Sequence, residues 1–71
     1  MQQLIEVSPL DGGWRLWARG CLEPTLYLSG GQAERAARRL ACGFANAGCD
    51  VVVQVLDCQQ LLVGDHHYFA A

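Results

Sequence analysis

Hydrophobic residues recur along this chain with two different periods. Across residues 29–48 they return every three to four positions, which predicts an amphipathic helix. Ser29 and Gln32 predict a capping box at the start of that helix, and Gly48 predicts its end. The apolar positions are Ala33, Ala36, Ala37, Leu40, Ala41, Phe44 and Ala47.

Elsewhere the pattern alternates or forms short apolar runs, which is typical of β-strands. We predict strands at residues 4–7, 14–19, 25–28, 51–56 and 61–63. The element order is therefore β-β-β-α-β-β. It predicts a two-layer α+β sandwich, with an antiparallel sheet and one helix across one face. We expect one domain over residues 1–64 and a flexible tail over residues 65–71.

The alternation also predicts which side chains the helix covers. Trp14 leads the more uniformly apolar face of the second strand, so this face is expected to lie under the helix. The other face remains open to solvent, and the third strand is expected to add its Thr25 and Tyr27 face to it. The predicted partner-binding residues on this open face are Arg15, Trp17, Arg19, Tyr27 and Gln54.

Composition supports a surface for a partner and argues against a nucleic-acid binder. Of the 71 residues, 52% are hydrophobic, and the formal net charge is −2 with no lysine. A nucleic-acid binder normally carries a basic excess. Arg35, Arg38 and Arg39 nevertheless form a second candidate surface on the helix, which is either simply solvated or bound by an acidic partner or a phosphate backbone.

The sequence offers little for catalysis, metal binding or membrane insertion. Cys21, Cys42, Cys49 and Cys58 lack the spacing of a zinc site, so we expect reduced, semi-buried thiols. Two adjacent histidines, in the predicted tail, are poorly placed to activate a nucleophile. We expect no enzyme, no cofactor and no metal. With no signal-peptide or membrane-span pattern, we expect a cytoplasmic protein.

The segment Leu28-Ser29-Gly30-Gly31-Gln32 resembles the signature of ABC-transporter ATPases. The resemblance implies a nucleotide phosphate held at a helix start. The phosphate-binding loop of those enzymes needs a lysine, which this chain lacks, so we interpret the match as a chance one. Weak anion binding at Ser29–Gly31 stays open as an alternative.

A broader pattern covers nearly the whole chain. Gly13-Trp14 after the first turn, an alanine-rich helix around Ala36 and a valine strand from Val51 are similar to a family of small bacterial and phage proteins of unknown function. The resemblance implies a fold and carries no chemistry. The chain departs from that family at residues 57–59, where the family has Asp-Gly in a tight hairpin.

These observations predict a non-enzymatic protein-binding module. The partner is either a host protein or a second copy of the chain, bound through the open sheet face. Small phage and mobile-element inhibitors such as anti-CRISPR proteins have a comparable architecture, which is an argument by analogy. The alternatives are a nucleic-acid-associated module using the helix arginines and an anion-binding helix start.

Overall fold

The computed structural model describes residues 2–21 and 23–70. It has one helix packed on a five-stranded sheet, which confirms the α+β sandwich and the element order. The elements are β1 (Gln2–Leu10), β2 (Gly13–Ala18), β3 (Thr25–Tyr27), α1 (Gly30–Asn46), β4 (Asp50–Leu56) and β5 (Leu62–Tyr68).

The strands lie in the order β3-β2-β1-β4-β5, so β1 is the central strand. All neighbours pair antiparallel except β1 and β4, which are parallel, with Ile5 opposite Val53. The prediction of a wholly antiparallel sheet was wrong at this pair. α1 carries the chain back along the sheet after β3, so β4 runs in the same direction as β3. Because β3 and β1 also run in one direction, β4 is parallel to β1.

The core lies between α1 and the three middle strands. Ala33, Ala37 and Ala41 are fully buried, and they form the contact stripe of the helix. Their small side chains allow the helix backbone to lie close to the sheet. The sheet supplies the larger part of the core from one of its faces, with Ile5, Val7, Leu16, Ala18, Val51 and Val53.

Both ends of α1 are capped at the residues that the sequence predicts, although of the predicted capping box the described hydrogen bonds include only the half made by Ser29. The Ser29 hydroxyl accepts a hydrogen bond from the Gln32 backbone N–H at 3.2 Å. Gly48 follows the helix with a φ of +96°, a conformation that favours glycine. The Gly48 N–H then donates to Ala45 and the Cys49 N–H to Phe44, which is a Schellman motif.

Two strands extend several residues beyond their predicted bounds, and β4 begins one residue earlier than predicted. β1 continues through Ser8 and Pro9 to Leu10, because its ladder with β4 ends at Val7 and the missing proline N–H is not needed there. β5 runs to Tyr68, whereas the sequence ended the last strand at residue 63. Part of the predicted tail therefore pairs with β4. Met1 and Ala71, which the predicted domain and tail include, lie outside the described residues.

Candidate functional site

The sheet face opposite α1 carries a mixed apolar and charged surface, which we call the open face. In one row, the strand register places Trp17 of β2 beside Glu6 of β1, and Glu6 beside Gln54 of β4. The neighbouring row brings Leu4 beside Val52. All five side chains are partly exposed. Three of the predicted partner-binding residues, Arg15, Trp17 and Gln54, thus belong to one face. Arg19 follows the end of β2 and lines a recess with Gln3 and Phe44 of the helix.

Tyr27 does not belong to the open face, so its predicted position was wrong. It lies opposite Trp14 in the ladder between β2 and β3 and packs against the core on the helix side. Residues directly opposite each other share a face, so the register fixes this orientation. Leu26 consequently points to the open side and is 66% exposed. Burying Tyr27 instead of Leu26 removes more apolar surface from water, because the aromatic side chain is larger.

The open face contains an incompletely satisfied polar pair near the turn between β1 and β2. Ser8 and Arg15 lie opposite each other on β1 and β2. The Ser8 hydroxyl and the Arg15 Nε are both buried and have no hydrogen-bond partner among the described residues. The Arg15 guanidinium lies 3.6 Å from the Glu6 carboxylate, which is an ion pair at long range. Arg15 therefore retains capacity to bind a further acceptor.

Sequence reasoning missed Leu4, Glu6 and Ser8 as members of this face. The signal was present, since residues 4, 6, 8 and 10 alternate with the buried Ile5 and Val7. Reading Ser8-Pro9 as the end of the strand concealed it. Extending the alternation to Leu10 would have placed these residues on the open side.

Exposed aliphatic side chains gather at one end of the sheet, which we call the turn end. The turns after β1, β3 and β4 all lie at this end, because β1, β3 and β4 run in one direction. Six large side chains there are 44% to 86% exposed. They are Leu10, Leu26, Leu28, Leu61, Leu62 and Val63. Leu26 and Leu28 lie at the β3 edge and Leu61, Leu62 and Val63 at the β5 edge, so these side chains are spread across the width of the sheet.

The helix arginines Arg35, Arg38 and Arg39 are all exposed, and their spacing of three and four residues places them on the outer face of α1. Arg39 lines a groove over β2 and β3, whereas Arg38 lies beside β4 and β5 with His66 and Tyr68. These are opposite flanks of the helix, since β3 and β5 are the two edges of the sheet. The Arg35 Nε donates to the carbonyl of Gly31 at 3.4 Å. The second candidate surface is thus an exposed basic strip on α1, whose Arg38 and Arg39 border different flanks of the helix.

The segment that resembles the ABC signature has structural roles in this fold. Ser29 is the helix N-cap, and Gly30 packs against the ring of Trp14. A Cβ atom on Gly30 would lie 2.9 Å from the Trp14 ring, which is too close. The hydroxyl and the first glycine are therefore explained by capping and packing.

The cysteines and histidines differ from their predicted environments. Cys21, Cys42 and Cys58 are exposed rather than semi-buried, and all four thiols are free. His66 and His67 lie in β5 rather than in a tail, and the His67 imidazole is 3.5 Å from the Asp65 carboxylate. Among the described residues, no three histidine, cysteine or acidic side chains gather in a metal-binding arrangement.

Within residues 2–21 and 23–70, no helix has both the length and the apolar character needed to cross a bilayer. No protein-family model matches the chain, and neither a curated protein nor a solved structure matches it. Membership of the small bacterial and phage family accordingly stays a prediction from the sequence.

Proposed function

We propose that this protein is a non-enzymatic protein-binding module that uses its open face to cover a site on another protein. The observation that carries the proposal is the one-sided covering of the sheet. The helix buries one face, and the other presents Trp17, Leu4 and Val52 together with charged side chains. Tryptophan and arginine are enriched among the residues that dominate binding energy at interfaces.

The chemistry of this face favours a partner with both an apolar pocket and an acidic group. The half-exposed Trp17 is the central anchor of the proposed interface, with Arg15 two residues away on the same strand. The Arg15 side chain is 36% exposed and its contact to Glu6 is long, at 3.6 Å, so its terminal N–H groups can bind a partner carboxylate. The exposed leucines of the turn end extend the apolar contact area beyond the sheet.

In this proposal the protein acts by occlusion, in the manner of phage and mobile-element inhibitors, and it carries out no reaction itself. That role is suggested by architecture and size, which is an argument by analogy. A second copy of the chain is the other protein partner that the open face accommodates. The helix arginines Arg35, Arg38 and Arg39, exposed on the outer face of α1, are a second candidate surface without an exposed aromatic anchor.

The test is affinity capture from a lysate of the native host at moderate salt, with Trp17→Ala in parallel. We expect one stoichiometric partner whose affinity falls by about 2 kcal/mol or more with the variant. Arg15→Glu on the open face and Arg35→Glu on the helix form a matched pair with the same charge change. Only Arg15→Glu is expected to weaken binding.

Each alternative predicts a different result in the same assay. Recovery of the chain alone, as a dimer that Trp17→Ala dissociates, identifies the partner as a second copy. The protein could instead retain DNA or RNA. If that retention falls steeply with added salt and in the Arg35→Glu variant, the result favours the nucleic-acid alternative. Unchanged affinity for a partner in a folded Trp17→Ala protein refutes the open face as the binding site.

A further inference from the structure

A large apolar groove lies between α1 and the β2–β3 edge of the sheet, on the opposite side from the open face. Its volume is about 690 Å³. The sheet contributes Leu16, Thr25 and Tyr27 to its wall, and the helix contributes Leu40, Phe44 and Arg39. We call it the helix–β3 groove. Cavities of roughly 300–1,000 Å³ with mostly apolar walls are typical of small-molecule sites.

The groove arises from the way the helix packs. The buried alanine stripe fixes α1 closely over the middle strands, and β3 at the edge contributes only three residues. On this flank the helix has Gly43, which has no side chain to fill the space. A Cβ atom placed on Gly43 would meet nothing within 4 Å. The helix–β3 groove therefore results from the close helix packing, the short β3 strand and the missing side chain at Gly43.

The charges around the groove select the kind of molecule that fits it. Among the described residues that line it, Arg39 is the only charged side chain, and no acidic group faces it. A cation is therefore disfavoured, and a single anionic group gains a charge-assisted hydrogen bond from the guanidinium. The apolar walls require the rest of the molecule to be hydrocarbon.

We propose that the helix–β3 groove binds a small amphipathic carboxylate, with its hydrocarbon portion against Leu40, Phe44 and Tyr27 and its carboxylate directed to Arg39. This site is separate from the open face and does not depend on the proposed protein partner. The ligand class follows from charge complementarity and from the volume of the recess. The hydroxyl groups of Thr25 and Tyr27 are further polar groups of the wall that can orient the ligand.

The experiment titrates the purified full-length protein with octanoate and, separately, with octanol, followed by amide NMR shifts. We expect saturable shifts at Tyr27, Gly43 and Phe44 with both compounds, and tighter binding of octanoate. Arg39→Gln is expected to weaken the binding of octanoate about tenfold, which corresponds to the loss of one charge-assisted contact. The same variant is expected to leave the affinity for octanol unchanged. Arg38→Gln, on the other flank, is the matched control and keeps wild-type affinity.

Filling the groove gives the second test. Gly43→Trp places an indole in the recess from an exposed, unobstructed position, and Gly43→Leu does so with a smaller side chain. Both are expected to abolish binding of octanoate and octanol while the amide spectrum stays folded. Trp17→Ala is expected to bind octanoate normally, which separates this site from the open face.

Three results would overturn the proposal. One is the absence of saturable amide shifts in the titration. Another is amide shifts confined to the open face, where a protein partner or a second copy is proposed to bind. The third is unchanged octanoate affinity in both Gly43 variants. Equal effects of Arg39→Gln and Arg38→Gln would refute the assignment of the carboxylate to Arg39.

Discussion

The indole ring of Trp14 packs directly against the backbone of Gly30, at a separation that leaves no room for a side chain. Trp14 is near the start of β2, and Gly30 is the first residue of α1. The contact therefore joins the helix start to the sheet. It also explains why the helix begins with a glycine, which has poor helix propensity.

The first prediction tests this contact. Gly30→Ala is expected to lower the free energy of unfolding by about 1–3 kcal/mol, because the new methyl group overlaps a rigid ring. Gly31→Ala is the matched control, since its Cβ meets nothing within 4 Å. That variant is expected to be neutral or more stable by up to about 1 kcal/mol. Urea denaturation of both variants measures the difference, and equal stabilities would contradict the packing explanation.

The second prediction concerns the end of the helix. Gly48 has a φ of +96°, so Gly48→Ala is expected to destabilise the protein by about 1–2 kcal/mol. Gly43→Ala, inside the same helix, is expected to stabilise it by about 0.5–1 kcal/mol, because alanine loses less conformational entropy. Thermal unfolding followed by circular dichroism should move in opposite directions for the two variants. A stabilised Gly48→Ala protein would refute the Schellman end.

The third prediction concerns the hairpin between β4 and β5. Gln60 has a φ of +63°, which is unusual for a residue with a side chain. Gln60→Gly is therefore expected to stabilise the protein by about 0.5–1 kcal/mol. Gln59→Gly, one residue earlier and outside the left-handed region, should be neutral or destabilising. Chemical denaturation distinguishes them, and a destabilised Gln60→Gly variant would contradict this turn.

The fourth prediction tests the close approach of helix and sheet. Ala37 is fully buried at the centre of the contact stripe. Ala37→Leu is expected to cost about 1–3 kcal/mol, because the added methylene groups force the helix away from the sheet. Cys42→Leu, at an exposed position of the same helix, is expected to change stability by about 0.5 kcal/mol or less. Comparable losses of stability in Ala37→Leu and Cys42→Leu would show that helix propensity, and not packing against the sheet, causes the loss.

The fifth prediction concerns the residues after β5. The Asp50 carboxylate accepts a hydrogen bond from the Ala70 N–H at 2.8 Å. Asp50→Ala should increase hydrogen exchange at the Ala70 amide with little change in global stability, because only this exposed contact is lost. Asp50→Asn keeps an acceptor oxygen at that position and should retain more protection. Fast exchange at Ala70 in the unaltered protein would refute the contact.

The sequence predicted the local elements of this fold well, because each depends on neighbouring residues. It did not predict which distant strands pair with each other. Ser29 and Gly48 predicted the helix ends, because capping depends on a few neighbouring residues. The parallel pairing of β1 with β4 depends on where α1 crosses the sheet, which no local pattern specifies. The histidines of β5 were misplaced because an exposed edge strand needs little hydrophobic content.

The open face was predictable where one strand had a clear alternation, as at Arg15 and Trp17. It was not predictable at Tyr27, where the choice of face depended on the register with β2. In the predicted strand at residues 25–28, two leucines outweighed one tyrosine in the hydrophobic pattern, and the pairing of Tyr27 with Trp14 reversed that interpretation. The helix–β3 groove requires the packed positions of both elements, so it has no sequence signature of its own.

The central position of β1 has a consequence for biosynthesis and folding. β1 is the first strand made, yet one of its edges stays unpaired until β4 has left the ribosome. An unpaired central edge is a template for pairing with other chains. We therefore expect a nascent chain ending after α1 to be aggregation-prone, and a separately supplied β4–β5 hairpin peptide to restore its solubility by completing the sheet.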